Sequence, residues 1–396
     1  MLAGRVERRF RFSGRSVAWG LLAFNTLFVV AALLLYAVRY PALNWDMIPY
    51  TALTIGGESA AAVHDATFGS LAQRLPAPVY EKLTGDRPYR EVVARDPQVL
   101  QNILPFYAPR PLYLLATRAL AGLGTEPYRA TWYVPFLGML VATFLTLRAT
   151  RGSPHVLLMA LAPWCILAGD GIEIARSATP DGLAFPFTML MFFGFLWPAA
   201  AWARLAPALV SIAVRHDLVL LVGLVYVLAA GLRIVRWREA LLACVASGVL
   251  AAAIAWWFDY PGWRILFYHS FVETLTEPGA GAPPLSVADY LATVARFLIG
   301  LLNDPAFWLR ALLVACLLVV GTLGEDPHAA RATLLLVGAT VAFFAVRSVI
   351  YPLDEGRFYG ALVTLNALWL LRALDGLAGP GLWWRCLLAS LPRAWR

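Results

Sequence analysis

The sequence predicts an all-α polytopic membrane protein with about 10 transmembrane helices and an external cap of short helices after the first span. Three observations carry that expectation. The chain of 396 residues is 60% hydrophobic and 14% charged, where a soluble domain is about 45–50% apolar and roughly 25% charged. Several apolar runs approach or exceed the ~20 residues that cross a bilayer. The arginines between those runs also concentrate in alternate loops, which the positive-inside rule places on the cytoplasmic side.

The first element is a basic arm, Arg5, Arg8, Arg9, Arg11 and Arg15, ahead of an apolar run over 17–38. A signal peptide has a shorter apolar core and a small-residue cleavage site, whereas residues 37–40 read Ala-Val-Arg-Tyr. Residues 1–38 are therefore expected to be a cytoplasmic arm and a retained span. Residues 39–130 mix charge, proline and short amphipathic patches, too polar to insert and too apolar for a disordered tail. They are expected to form an external cap. Spans are expected within 131–257, near 131–149, 155–169, 183–201, 203–214, 217–232 and 239–257. Residues 258–304 form a second external segment, 305–375 carry spans near 305–323, 331–349 and 357–374, and 376–396 form a cytoplasmic amphipathic tail with Trp383, Trp384 and Trp395.

Two further apolar stretches, 111–123 and 288–302, are short or charged: Arg118 breaks the first, and Asp289 and Arg296 the second. Counting either one alone as a span would turn the downstream arginines outward. With both outside the membrane core, the inner loops collect Arg148, Arg151, Arg204, Arg233, Arg236, Arg238 and Arg331. Both termini are then cytoplasmic, in a multi-pass plasma membrane of the bacterial inner-membrane type. The formal charge of +8 follows from that topology and does not point to nucleic acid. Cys165, Cys244, Cys316 and Cys386 lie in separate apolar segments, without disulfide or zinc spacing.

This topology gathers the unusual polar residues on the external side. Trp45-Asp46 follows the first span, and His64-Asp65 lie in the cap. Asp170, Glu173, Arg176 and Asp181 fill one outer turn, Arg215-His216-Asp217 another, and Asp354, Glu355 and Arg357 the last. Each has a plainer reading. Asp46 could end a helix, Thr179-Pro180-Asp181 could start one, His64-Asp65 could cap one, and Arg215 and Asp217 could be a structural ion pair. The Trp256–Tyr268 aromatics fit an interfacial belt. No GxGxxG, P-loop, HExxH or GxSxG pattern occurs.

The arrangement resembles the polytopic GT-C class of membrane glycosyltransferases, such as the protein mannosyltransferases and the lipid A aminoarabinose transferases. Trp45-Asp46 is similar to the acidic motif that follows the first span in that class. Tyr107-Ala108-Pro109-Arg110-Pro111-Leu112-Tyr113 is similar to its proline-rich loop element, Asp181 to its second acidic position, and Arg357-Phe358-Tyr359 to its late Arg-aromatic pattern. Met47 stands where many members have a second acid, and no large soluble C-terminal domain follows. The resemblance implies transfer of a sugar from a polyprenyl-phosphate donor to an acceptor at the external face, by inverting single displacement. Asp46 would be the general base, with Asp181 as a second catalytic residue. Arg215 and Arg357 would meet the phosphate, while Tyr107, His64, Asp65, His216 and Asp217 would line the substrate site. Asp181, Asp217 and His64 would orient the acceptor or hold a divalent cation. The rival expectations are a transporter or flippase of lipid-linked sugar and a non-catalytic envelope-assembly subunit.

Overall fold

The computed structural model describes residues 2–150, 159–276, 283–323 and 326–377, with side chains from Trp19 onward. The described chain is helical, and its only β feature is one isolated bridge, between Ala42 and Ser177. Six helices are long and apolar enough to cross a membrane by length and composition: Trp19–Arg39, Pro127–Ala149, Trp237–Trp257, Pro305–Thr322, Pro327–Ile350 and Gly360–Leu377. Their outward side chains are themselves apolar, among them Phe24, Leu27, Leu241, Leu242, Val249, Leu309 and Leu312. So large an unpartnered apolar surface on a folded chain fits lipid, not water. Three shorter apolar helices, Asp181–Leu196, Ala201–Val214 and Val219–Gly231, complete the bundle.

Helix limits depart from the expected spans where proline or glycine intervenes. The 131–149 span starts at Pro127, since proline fits the first helical turn, where its missing N–H costs nothing. The last span starts at Gly360, after a 3₁₀ turn over Gly356–Phe358 that carries Arg357. The stretch 155–169 is described from Met159 and is not one helix there. A turn leads into Trp164–Ala168, and after Gly169 and a left-handed Asp170 (φ 57°) the chain resumes as Gly171–Arg176. Pro163, Gly169 and Gly171 divide it. The stretches 111–123 and 288–302 form helices of 12 and 16 residues, Pro111–Gly122 and Val287–Leu302. Arg151, the side chains of the N-terminal arginines and the tail beyond Leu377 lie outside the described residues.

Two hydrophobic cores result. The larger runs through the bundle, from Leu33 and Ala37 through Phe192, Tyr226 and Leu335 to Leu365. The smaller, built on Met47, Ile48, Phe68, Leu71, Val93, Leu100, Ile103 and Phe106, holds five short helices of the 39–130 region together. Tyr128, Trp132 and Ala178 join that smaller core from the bundle, so the cap is seated on it. Arg118 ties the two parts further by donating to the Leu53 carbonyl at 2.8 and 3.1 Å, beside the end of helix Met47–Ile55.

Candidate functional site

The chain positions Asp46 through its neighbours. The Ala42 N–H donates to the Arg176 carbonyl at 2.9 Å, which fixes the segment leaving the first helix against the Gly171–Arg176 turn. Trp45 packs against Tyr89 and lies under the Arg90 guanidinium. Asp46 then occupies the N-cap position of the buried helix Met47–Ile55, but its side chain caps no backbone N–H. Its carboxylate accepts instead from Arg357 Nη1, at 3.1 Å and 311 residues away in sequence.

Asp181 is placed by close backbone packing. A Cβ on Gly138 would overlap the Gly182 carbonyl, and one on Gly182 would overlap the Pro135 backbone. Helices Pro127–Ala149 and Asp181–Leu196 therefore touch at their main chains, as small residues allow in membrane bundles. Asp181 is the first residue of its helix, and its carboxylate meets Arg215. A second glycine contact, Gly169 on Gly360, seats the start of the last span beside Arg357.

Around these two acids the turns at one end of the helices converge. Arg215 ends the Ala201–Val214 helix and grips Asp217 with two bonds of 2.8 Å. Arg347, in the last turn of Pro327–Ile350, donates to Asp217 at 3.0 Å. Arg357 pairs with Asp46 and Glu355, and its Nε lies 4.0 Å from Asp181. The Phe358 ring sits among the three guanidiniums, with Cζ atoms 3.7 Å (Arg347), 4.5 Å (Arg215) and 5.2 Å (Arg357) from its centroid. Asp181, Arg215 and Arg347 are only 6–7% exposed. The cavity between Asp181, Arg215, Arg357 and Phe358 is about 20 Å³, room for about one water. Ion pairs fill the hollow.

On the cap side, Arg110 lies over the rings of Tyr50 and Tyr107, whose centroids are 5.3 Å apart. His216 packs on Tyr260. Burial, with the Asp46 charge adding to it, holds the Tyr107 hydroxyl well above its usual range. Burial does the same for Tyr50, against the opposing pull of Arg110. Both phenols are thus neutral donors at neutral pH. The Nε atoms of Arg110 and Arg347 are buried with no hydrogen-bond partner among the described residues. Taking several charges out of water costs several kcal/mol per ion even when they pair. Stability alone does not call for such a cluster, and two unfilled guanidinium donors leave it with capacity for an oxyanion.

The structure thus brings together Asp46, Asp181, Arg215, Asp217 and Arg357, with Tyr107 and His216 at their edge. Asp46 and Asp181 do stand at helix ends, as the plainer readings had them, and their carboxylates also meet arginines; the Arg215–Asp217 pair forms as an ion pair within the larger network. His64 and Asp65 stand apart. The His64 ring bonds Asp65 at 3.2 Å and the Ala94 carbonyl at 3.0 Å and packs on Phe68, all inside the cap. Among the described residues no three His, Cys, Asp or Glu side chains are grouped to hold a metal ion. With Asp181 and Asp217 both held by arginine, these residues do not fit a divalent cation here. Arg110, Arg347, Tyr50 and Phe358 join the site although the sequence did not single them out for it. Arg110 lies inside the quoted proline-rich element and Phe358 inside the quoted Arg-aromatic pattern, signals that were available; Tyr50 and Arg347 read as ordinary membrane-boundary residues. Comparison with protein-family models, curated proteins and solved structures found no match.

Proposed function

We propose that this membrane protein is a glycosyltransferase that moves a sugar from a polyprenyl-phosphate donor to an acceptor on the external side of the membrane. The observation that carries this reading is the Arg357–Asp46 contact, inside a cluster whose partners come from five distant parts of the chain. The acceptor hydroxyl attacks the anomeric carbon, and the bond from that carbon to the phosphate oxygen breaks. The lipid phosphate leaves with the electron pair, and the acceptor proton passes to the Asp46 carboxylate. One displacement of this kind inverts the anomeric centre. The leaving group is a phosphate, so it needs positive charge and not a proton. Arg357, Arg347 and Arg215 surround Phe358 to supply that charge, and Arg110 offers a further free N–H.

The pairing seen between Arg357 and Asp46 gives the site an order of events. A carboxylate held by a guanidinium is a poor base. A donor phosphate competing for Arg357 frees Asp46 as the acceptor arrives. The cavity of about 20 Å³ between these groups fits the same picture: a phosphate would enter by displacing one of the ion pairs. A transporter would be expected to carry its polar groups near mid-span. The buried polar residues at those depths here, such as Thr143, Thr188, Ser211 and Asn366, are uncharged and hydrogen-bond their own helix backbones. The test is to give the purified protein a panel of polyprenyl-phosphate sugars with soluble and lipid acceptors. Release of free lipid phosphate with inversion is the expected result. Movement of the intact donor across proteoliposomes with no phosphate released from any panel member would favour the transporter.

A further inference from the structure

The helices that carry the outer cluster also line a second, larger pocket at their opposite ends, mostly apolar, with Asp326, His328, Thr333 and Arg372 as its polar groups. Asp181 begins helix Asp181–Leu196, and Leu196 and Trp197 at its other end line this pocket. The 16 residues between span about 24 Å at ~1.5 Å per residue. The pocket's volume is about 430 Å³, within the ~300–1,000 Å³ of small-molecule sites. On the topology given by the arginine-rich loops, it opens on the cytoplasmic side.

Its chemistry is that of an anion site. The Arg372 guanidinium lies over two tryptophan rings, 5.4 Å from Trp197 and 5.8 Å from Trp369. Trp369 is held by donating its indole N–H to Thr333 at 3.0 Å, so the aromatic wall is fixed in place. Arg372 Nη1 is buried with no hydrogen-bond partner among the described residues, and a buried guanidinium N–H left unfilled lacks the bond that such groups normally make. His328 adds a second donor on the wall. The acid that lines the pocket, Asp326, spends its Oδ1 on the His328 backbone N–H at 2.9 Å. Leu196 and Leu377 add apolar lining.

We infer that this pocket is a second anion-binding site, and that it takes the phosphate of a membrane-lipid headgroup from the inner leaflet. Arginine suits this role because its planar fork matches phosphate oxygens and stacks on aromatic faces. A phosphomonoester headgroup would fill the empty Nη1 position while its tails follow the apolar lining. The site is independent of the outer chemistry, so it stands or falls without the transferase reading.

The experiment is native mass spectrometry of the full chain, released from nanodiscs that contain phosphatidic acid or the matching diacylglycerol, with inorganic phosphate as a third ligand. Three proteins are compared: wild type, Arg372→Gln and Arg372→Lys, with His328→Ala as a milder variant should Arg372→Gln lower expression. Wild type should retain phosphatidic acid at least tenfold better than diacylglycerol. That preference should vanish in Arg372→Gln, return in part in Arg372→Lys and weaken in His328→Ala. Binding of inorganic phosphate with the same Arg372 dependence, but no preference for phosphatidic acid, would keep the anion site and overturn its lipid source. Equal retention of all three ligands by wild type and Arg372→Gln would overturn the site.

Discussion

At the scale of single residues, Asp46 separates the proposed chemistry from a structural role most sharply. It stands where a capping aspartate would stand, but its oxygen faces Arg357. A general base contributes ~10²–10⁴ in rate, so Asp46→Asn should lower turnover by about that factor while leaving the helical fold intact by circular dichroism. Arg357→Lys keeps the charge but loses the planar fork. It should weaken donor use more than Arg357→Gln weakens thermal stability, read as KM and melting point on the same preparations. His269 tests a different property. Burial against Tyr89 and Phe106 lowers its imidazole to about 4. A lowered histidine lends stability above its unfolded value of ~6.5 and loses it as the pH falls toward the folded value. Wild type should therefore melt at lower temperature at pH 4.5 than at pH 7. His269→Phe should flatten that part of the pH profile, and an unchanged profile would show that His269 does not set it.

Among the elements, the glycine contacts are the part of the site most open to mutation. Gly138 and Gly182 let two membrane helices meet at their backbones, and Asp181 begins the second of them. Overpacking such a contact costs typically 1–3 kcal/mol. Gly182→Ala should lower thermal stability by about that amount and reduce turnover, whereas Gly223→Ala, where an added Cβ meets nothing, should do neither. Such contacts are invisible in a single sequence, because a glycine in an apolar run looks alike whether or not a neighbour presses on it. The helices themselves were legible. Apolar length found the first, the 131–149 and the last three spans to within a few residues. It failed over 155–169, where Pro163, Gly169 and Gly171 break the described part, and over the exact start of the last span, where Arg357 sits in a 3₁₀ turn. Hydropathy counts side chains, and these breaks are backbone events.

For the whole molecule, sidedness organised the sequence reading. Placing the arginine-rich loops inside sent Asp46, Asp181, Arg215, Asp217 and Arg357 to one face, and in the structure they meet there. The pattern could not give their pairings, since which guanidinium meets which carboxylate depends on helix depth and rotation. It also set His64-Asp65 in the site, because a histidine buried in a small cap core beside an exposed aspartate looks the same in sequence as a pair facing a cleft. The topology has its own test in a variant without native cysteines. A cysteine at Arg87, in the cap, should react with an impermeant maleimide in intact cells. One at Arg238, in the first turn of helix Trp237–Trp257, should react only after permeabilisation, and the reverse labelling would invert the protein.

The central proposal is that Asp46 takes the acceptor proton while the surrounding arginines hold the lipid phosphate. The most direct measurement follows lipid-phosphate release and donor binding together, in wild type and Asp46→Asn, with whichever polyprenyl-phosphate sugar the panel identifies. The account predicts that Asp46→Asn binds that donor within a few-fold of wild type but releases phosphate at least 100-fold more slowly. Release at the wild-type rate from Asp46→Asn would contradict it.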